Sequence, residues 1–144
     1  MRVLLFLLGG LIMSTSSSLT LAKEVNIKVT NIEANRGGNM IVMIFGKDGF
    51  PIAHDKAILI QKQPAKYQMN FTFTVKNEEF AIKVLHDEDE NDKVTKNWTG
   101  IIPAEGLGFS NGQKLSLTGP PSYRKSKILL SNIDQIIEIK IIYP

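Results

Sequence analysis

The chain has 144 residues, of which 43% are hydrophobic, 22% charged and none cysteine. A mean hydropathy of -0.02 excludes a disordered or collagen-like polymer, and the length suits one domain. There are 17 Lys and Arg against 14 Asp and Glu. No basic stripe interleaved with aromatics accompanies that small excess, so no nucleic-acid partner is expected.

Met1 to Ala22 reads as a leader rather than as part of the fold. Arg2 gives a positive end, Val3 to Met13 an apolar centre, and Thr20 and Ala22 the small residues before a cut. That order predicts a secretory signal peptide cleaved between Ala22 and Lys23, hence a periplasmic or secreted protein. The apolar run is about half of the ~20 residues that span a bilayer, which disfavours the alternative of an uncleaved anchor. No later segment is long and apolar enough to span, so no transmembrane segment is expected after cleavage. Without cysteine there is no disulfide-linked partner, and the mature part, 23–144, must be held by its core.

From Lys23 onward the dominant period is two. Val25, Ile27 and Val29 alternate with Asn26, Lys28 and Thr30. Met40 to Phe45 is a continuous apolar run, as in a strand buried on both faces. With Arg36-Gly37-Gly38 between them, the two are read as a hairpin. A Gly/Pro-rich loop follows, holding His54, and then a short strand candidate at Ala57 to Ile60. Tyr67, Met69, Phe71, Phe73 and Val75 form the cleanest alternation, and Phe80 to Leu85 another strand. Ile128 to Leu130 and the alternating Ile137 to Tyr143 complete the set. No stretch carries a sustained helical apolar stripe. About seven strands predict an all-β fold, a single antiparallel β-sandwich, with a barrel as the alternative closure.

One long region without strand signals runs from Asp87 to about Lys127, and such loops are often functional. It opens with His86-Asp87-Glu88-Asp89-Glu90-Asn91-Asp92-Lys93-Val94-Thr95. Asp87, Asp89 and Asn91 at alternate positions, the Lys93 main-chain carbonyl and Thr95 are the oxygen set that wraps calcium, the one cofactor the pattern points to. Val94 stands where an aliphatic tethers such a loop to the core. Asp92 replaces the glycine of the sharp turn, and Trp98 stands where a bidentate glutamate belongs, leaving Glu105 as the carboxylate to reach back. The other readings are a solvated acidic turn and a catalytic acid of a hydrolase. His86 beside Asp87 invites an acid–base pair, yet neighbours on a strand point to opposite faces, and a structural histidine is the expectation. Gly100 to Asn111 reads as a glycine-rich Ω-like loop packed by Ile101, Leu107 and Phe109, with Trp98 packing the loop as well or forming a recognition pair with Tyr123. Asn70-Phe71-Thr72 and Asn97-Trp98-Thr99 match glycosylation sequons.

The block His86 to Lys93, followed by Gly100, Pro103, Glu105 and Gly108-Phe109-Ser110-Asn111, resembles the bacterial exported proteins of domain-of-unknown-function family 2141. The Gly38-to-Phe45 strand, Phe80-Ala81-Ile82 and Pro120-Pro121-Ser122-Tyr123 fit as well, so the resemblance covers nearly all of 23–144. Members of that family typically show His-Asp-Glu-Asn-x-Asn-Gly-Lys-x-Asp here, where this chain has Asp89, Asp92 and Thr95 in place of the first asparagine, the glycine and the last aspartate. The resemblance implies a bacterial, extracytoplasmic β protein and supplies no activity. The expected role is therefore a binding or envelope-accessory module rather than an enzyme, with His86, Trp98, Glu105, Phe109, Ser110 and Asn111 as loop or recognition residues.

Overall fold

Alternation on a strand sorts side chains onto two faces, and here it builds two stacked sheets. The computed structural model describes residues 21–144. The predicted signal peptide lies outside the described residues except for Leu21 and Ala22, which precede the first strand. β1 (Lys23–Thr30), β4 (Met69–Val75) and β8 (Ile137–Lys140) form a three-stranded sheet in the order β4-β1-β8. β2 (Asn39–Phe45), β3 (Leu59–Pro64), β5 (Glu79–Asp87) and β6 (Leu107–Phe109) form the second, in the order β3-β2-β5-β6, and the two-residue β7 (Ile128–Leu129) pairs with the start of β5. The one α-helix among the described residues, α1 (Tyr123–Ser126), is four residues long.

The main core lies between the sheets. Val25, Ile27 and Val29 of β1 and Met69, Phe71, Phe73 and Val75 of β4 point inward, opposite Met40, Val42 and Ile44 of β2 and Phe80, Ile82 and Val84 of β5. The intervening polar residues of β4 are exposed, as its period of two requires. β2 and β5 are buried on both faces because the second sheet carries a further core on its outer side. Ile41, Met43, Phe45, Leu85, Leu107 and Phe109 pack there under Phe50, Ala57 and Val94, which belong to loops folded over the sheet.

Four sequence expectations change. β1 and β2 are not a hairpin. β1 pairs with β4 and β8, β2 with β3 and β5, and the turn at 31–38 carries the chain from one sheet to the other. Asn31, Gly37 and Gly38 all take positive φ in that crossing. A Cβ on Gly38 would also sit 2.1 Å from the Asp87 carbonyl oxygen, so only glycine fits. The pairing is not wholly antiparallel either, since β8 runs parallel to β1 (Ile27 opposite Ile137). The sheets do not close into a barrel. Finally, the region from Asp87 to Lys127 is not strand-free, because β6 lies inside it, and Leu107 and Phe109 are buried there in the outer core rather than in an Ω loop.

The C-terminal residues tie the two sheets at one edge. Beyond β8 the chain leaves β1, and Ile142 exchanges two backbone hydrogen bonds with Leu107 of β6. At the opposite edge the Gln61 side-chain amide on β3 donates to the Thr72 carbonyl on β4 (2.6 Å).

Candidate functional site

The last two residues of β5 split the region's chemistry between its faces. His86 points toward the inter-sheet side. Its Nε2 lies 2.6 Å from the Gly37 carbonyl, which only accepts, so Nε2 carries the hydrogen. Nδ1 then accepts from the Tyr143 hydroxyl at 2.7 Å, and that hydroxyl accepts the Glu33 N–H. Arg36 lies over the Tyr143 ring, 4.6 Å from its centroid. His86 thus ties the 31–38 turn to the segment bearing Tyr143.

Asp87 points to the outer face and is 0% exposed. Its two oxygens accept the N–H groups of Asn91 (3.1 Å) and Asp92 (2.9 Å), curling the acidic loop back on the strand end. Asp89 accepts from the Asn91 side-chain amide (2.9 Å) and the Thr95 hydroxyl (2.6 Å), which draws three of the expected ligands together. Glu105 arrives from the far limb of the loop and is 4% exposed. It clamps both limbs, with Oε1 accepting the Glu88 N–H at 2.9 Å and Oε2 the Thr95 N–H at 2.8 Å. Asp87, Asp89 and Glu105 each bring one carboxylate oxygen within 4.8 Å of the others. None of the three forms an ion pair among the described residues, whereas Glu88 pairs with Arg36 and Asp92 with Lys62.

Burial holds the carboxyls of Asp87 and Glu105 above the usual carboxylate range, although the loop N–H groups pull the other way. Asp89, exposed and bonded to Thr95, is held below it. An acid raised in the folded state adds stability below its unfolded value and loses it as pH rises through the folded one. At neutral pH, therefore, the ionised carboxylates of Asp87 and Glu105 stabilise the fold less than their protonated forms would. A cation between them would reverse that sign.

Val94 packs on the outer core, as a loop tether should. Asp92 takes φ 62°, the left-handed turn for which glycine is suited, and Glu90 takes φ 57°. Lys93 contributes its own N–H to Asn91 Oδ1 and its side chain is exposed.

Beyond Thr95 the chain forms a small hairpin. Ala104 bonds back to Thr95 and Asn97 to Ile102, and the Asn97 side chain caps the turn at Thr99. Trp98 at its tip is 96% exposed and Ile101 77%. Neither packs the loop, contrary to expectation, because the short hairpin holds them away from both cores. Tyr123 instead stacks edge-on against Phe50, 6.1 Å between centroids, and does not pair with Trp98. An apolar groove beside the hairpin is lined by Ile102, Leu107, Phe109, Leu115 and Ile142.

Ser110 and Asn111 are clamps. The Ser110 hydroxyl accepts the Ile82 N–H and donates to the Ser126 carbonyl (2.6 Å). Asn111, at φ 57°, donates its amide to the Lys125 and Lys127 carbonyls. Together they fix α1 against β5.

A family model described as "Uncharacterized protein conserved in bacteria (DUF2141)" matches residues 27–138. The chain belongs to DUF2141. No curated protein and no solved structure matches it. The matched span includes every residue of the acidic loop and of the serine–asparagine clamp, so the elements built here lie within the DUF2141 domain itself.

Sequence reasoning missed one pair in this DUF2141 chain. Lys83, in the middle of β5 on the outer face, is 4% exposed, and its Nζ lies 2.8 Å from His54 Nε2. A lysine among apolar neighbours was the only signal, and nothing in the sequence linked it to a histidine 29 residues away.

Proposed function

We propose that this is a small exported β-sandwich of the binding or envelope-accessory class, whose acidic loop is organised by a calcium-type hard cation. The observation that carries the reading is the convergence of Asp87, Asp89 and Glu105 within 4.8 Å without a cationic partner among the described residues. Oxygens on opposite sides of a calcium ion lie roughly 4.6–5.2 Å apart, so this spread suits such a sphere. Asp87, Asp89 and Asn91, the Lys93 carbonyl, Thr95 and Glu105 are the proposed donors. All are oxygen donors, which suits calcium over softer metals. The cation's role is structural. It offsets the charge of two buried carboxylates and stiffens the base from which the hairpin bearing Trp98 projects. Export is supported by the leader pattern of 1–22, after which the first strand among the described residues begins at Lys23.

Thermal unfolding of the purified protein in calcium, in magnesium and in chelator tests the cation. Calcium at about 100 times its Kd adds about 2.7 kcal/mol, a rise of roughly 10 °C for a domain of this size, and Glu105→Gln abolishes it. No shift in millimolar calcium, or an equal shift in Glu105→Gln, defeats the reading. Cell fractionation with N-terminal sequencing tests export: an N-terminus at Lys23 supports it, and cytosolic protein retaining Met1 refutes it.

A further inference from the structure

Lys83 is a charged group set in the outer core. Phe109 of β6 and Met43 of β2 stand opposite it in register, and its head emerges beneath the loop at 46–58. There Nζ reaches the Pro51 carbonyl at 2.8 Å and His54 Nε2 at 2.8 Å. His54 Nδ1 lies 3.1 Å from the main-chain carbonyl of Asp92 in the acidic loop. The polarity of this relay is fixed. A carbonyl only accepts, so His54 Nδ1 carries the hydrogen, and an ammonium only donates, so Nε2 must be the bare acceptor. The relay is complete with His54 neutral and joins three segments distant in sequence: β5, the 46–58 loop and the acidic loop.

We propose that the Lys83–His54–Asp92 relay is a proton-operated latch: with the imidazole neutral it pins the 46–58 loop and the acidic loop to the outer face of the sheet, and a proton on Nε2 releases them. Protonated His54 has only donors, and it would face an ammonium that also only donates, cation against cation at 2.8 Å. The groups around His54 are few. Asp55 adjoins it in its own turn, and Lys56 is paired with Asp48. Lys83 and Asp87 face it from β5, and Asp92, paired with Lys62 of β3, from the acidic loop. Burial and Lys83 hold the imidazole below its ordinary range, against the weaker pull of the Asp92 main-chain carbonyl and of the Asp87 and Asp55 carboxylates. The relay is complete without a cation in the acidic loop, and its test is run in chelator so that none sits on Asp87.

With only two histidines in the chain, NMR resolves His54 directly. The expected midpoint in the full chain lies below the ordinary 6.5 and moves up in Lys83→Met, where the facing ammonium is gone. Amide exchange, corrected for its intrinsic pH dependence, should quicken in 50–58 and 92–95 severalfold more than in β2 between about pH 7.5 and pH 5, since the released loops lose the contacts that β2 keeps. His54→Gln should abolish that acid loosening, because its Oε1 accepts from Lys83 and its Nε2 donates to Asp92 at any pH. A wild-type midpoint at or above the ordinary value, a midpoint unmoved in Lys83→Met, or equal loosening in His54→Gln overturns the proposal. If Lys83→Met does not fold, the wild-type midpoint and His54→Gln decide it.

Discussion

Asp87→Ala and Glu88→Ala remove adjacent acids of one loop and should differ sharply in cost. Asp87 is fully buried and accepts two backbone N–H groups. Hydrogen bonds to a charged acceptor are worth about 1.5–3 kcal/mol each, which puts the gross loss at about 3–6 kcal/mol. Two effects reduce it. The Asn91 N–H retains a weaker contact with Asp89 at 3.3 Å, and the burial cost that raises the Asp87 carboxyl disappears. The expected net loss is about 2–4 kcal/mol. Glu88 makes one half-exposed ion pair with Arg36 at 3.2 Å, so Glu88→Ala should cost under about 1 kcal/mol. Urea denaturation in chelator measures both. The probe must be circular dichroism, because the single tryptophan, Trp98, already faces solvent in the folded state and its emission will report little. Equal losses, or a larger loss for Glu88→Ala, would refute the claim that the Asp87 carboxylate organises the loop.

Three further outcomes are expected. Phe71→Ala, which empties a buried aromatic site on β4, should cost about 3–5 kcal/mol, and a loss below about 1 kcal/mol in chemical denaturation would place Phe71 outside the core. Burial lowers the Lys83 amine to about 8, so above that pH the unfolded chain binds the extra proton and this group makes stability rise with pH until the ordinary lysine value. Relative to Lys83→Met, wild-type stability should therefore climb by about 2–3 kcal/mol between about pH 7.5 and 10.5, and parallel pH profiles would contradict it. At Asp92, with φ 62°, Asp92→Gly should change stability by less than about 1 kcal/mol, whereas Asp92→Val, β-branched in a left-handed turn, should lose more than about 2 kcal/mol; thermal melts that rank the two equally would argue against the strained turn.

Alternation made the strands legible, because it states which residues share a face. It does not state which strands are neighbours. The Gly37-Gly38 turn therefore reads as a hairpin bend, although it crosses between sheets. The two-sided burial of Met40 to Phe45 was readable as an unbroken apolar run, yet what covers its outer face, the loops bearing Phe50 and Val94, depends on contacts far along the chain. In the acidic loop Glu105 brings a carboxylate oxygen within 4.8 Å of those of Asp87 and Asp89, a closeness that alternate spacing along the sequence does not by itself state. The Lys83–His54 contact left no trace in the sequence, since it spans 29 residues with no periodic signature. Trp98 was misjudged for a related reason: a large apolar residue is expected inside, and only the hairpin's own hydrogen bonds reveal that it is held out.

The parallel placement of β8 on β1 brings Ile27 beside Ile137. β1 therefore keeps one edge unpaired until β8, seven strands further along the described chain, is in place. Contacts so distant along the polypeptide make folding slow. Until β8 docks, the sheet of β1 and β4 presents a row of unpaired backbone groups along β1.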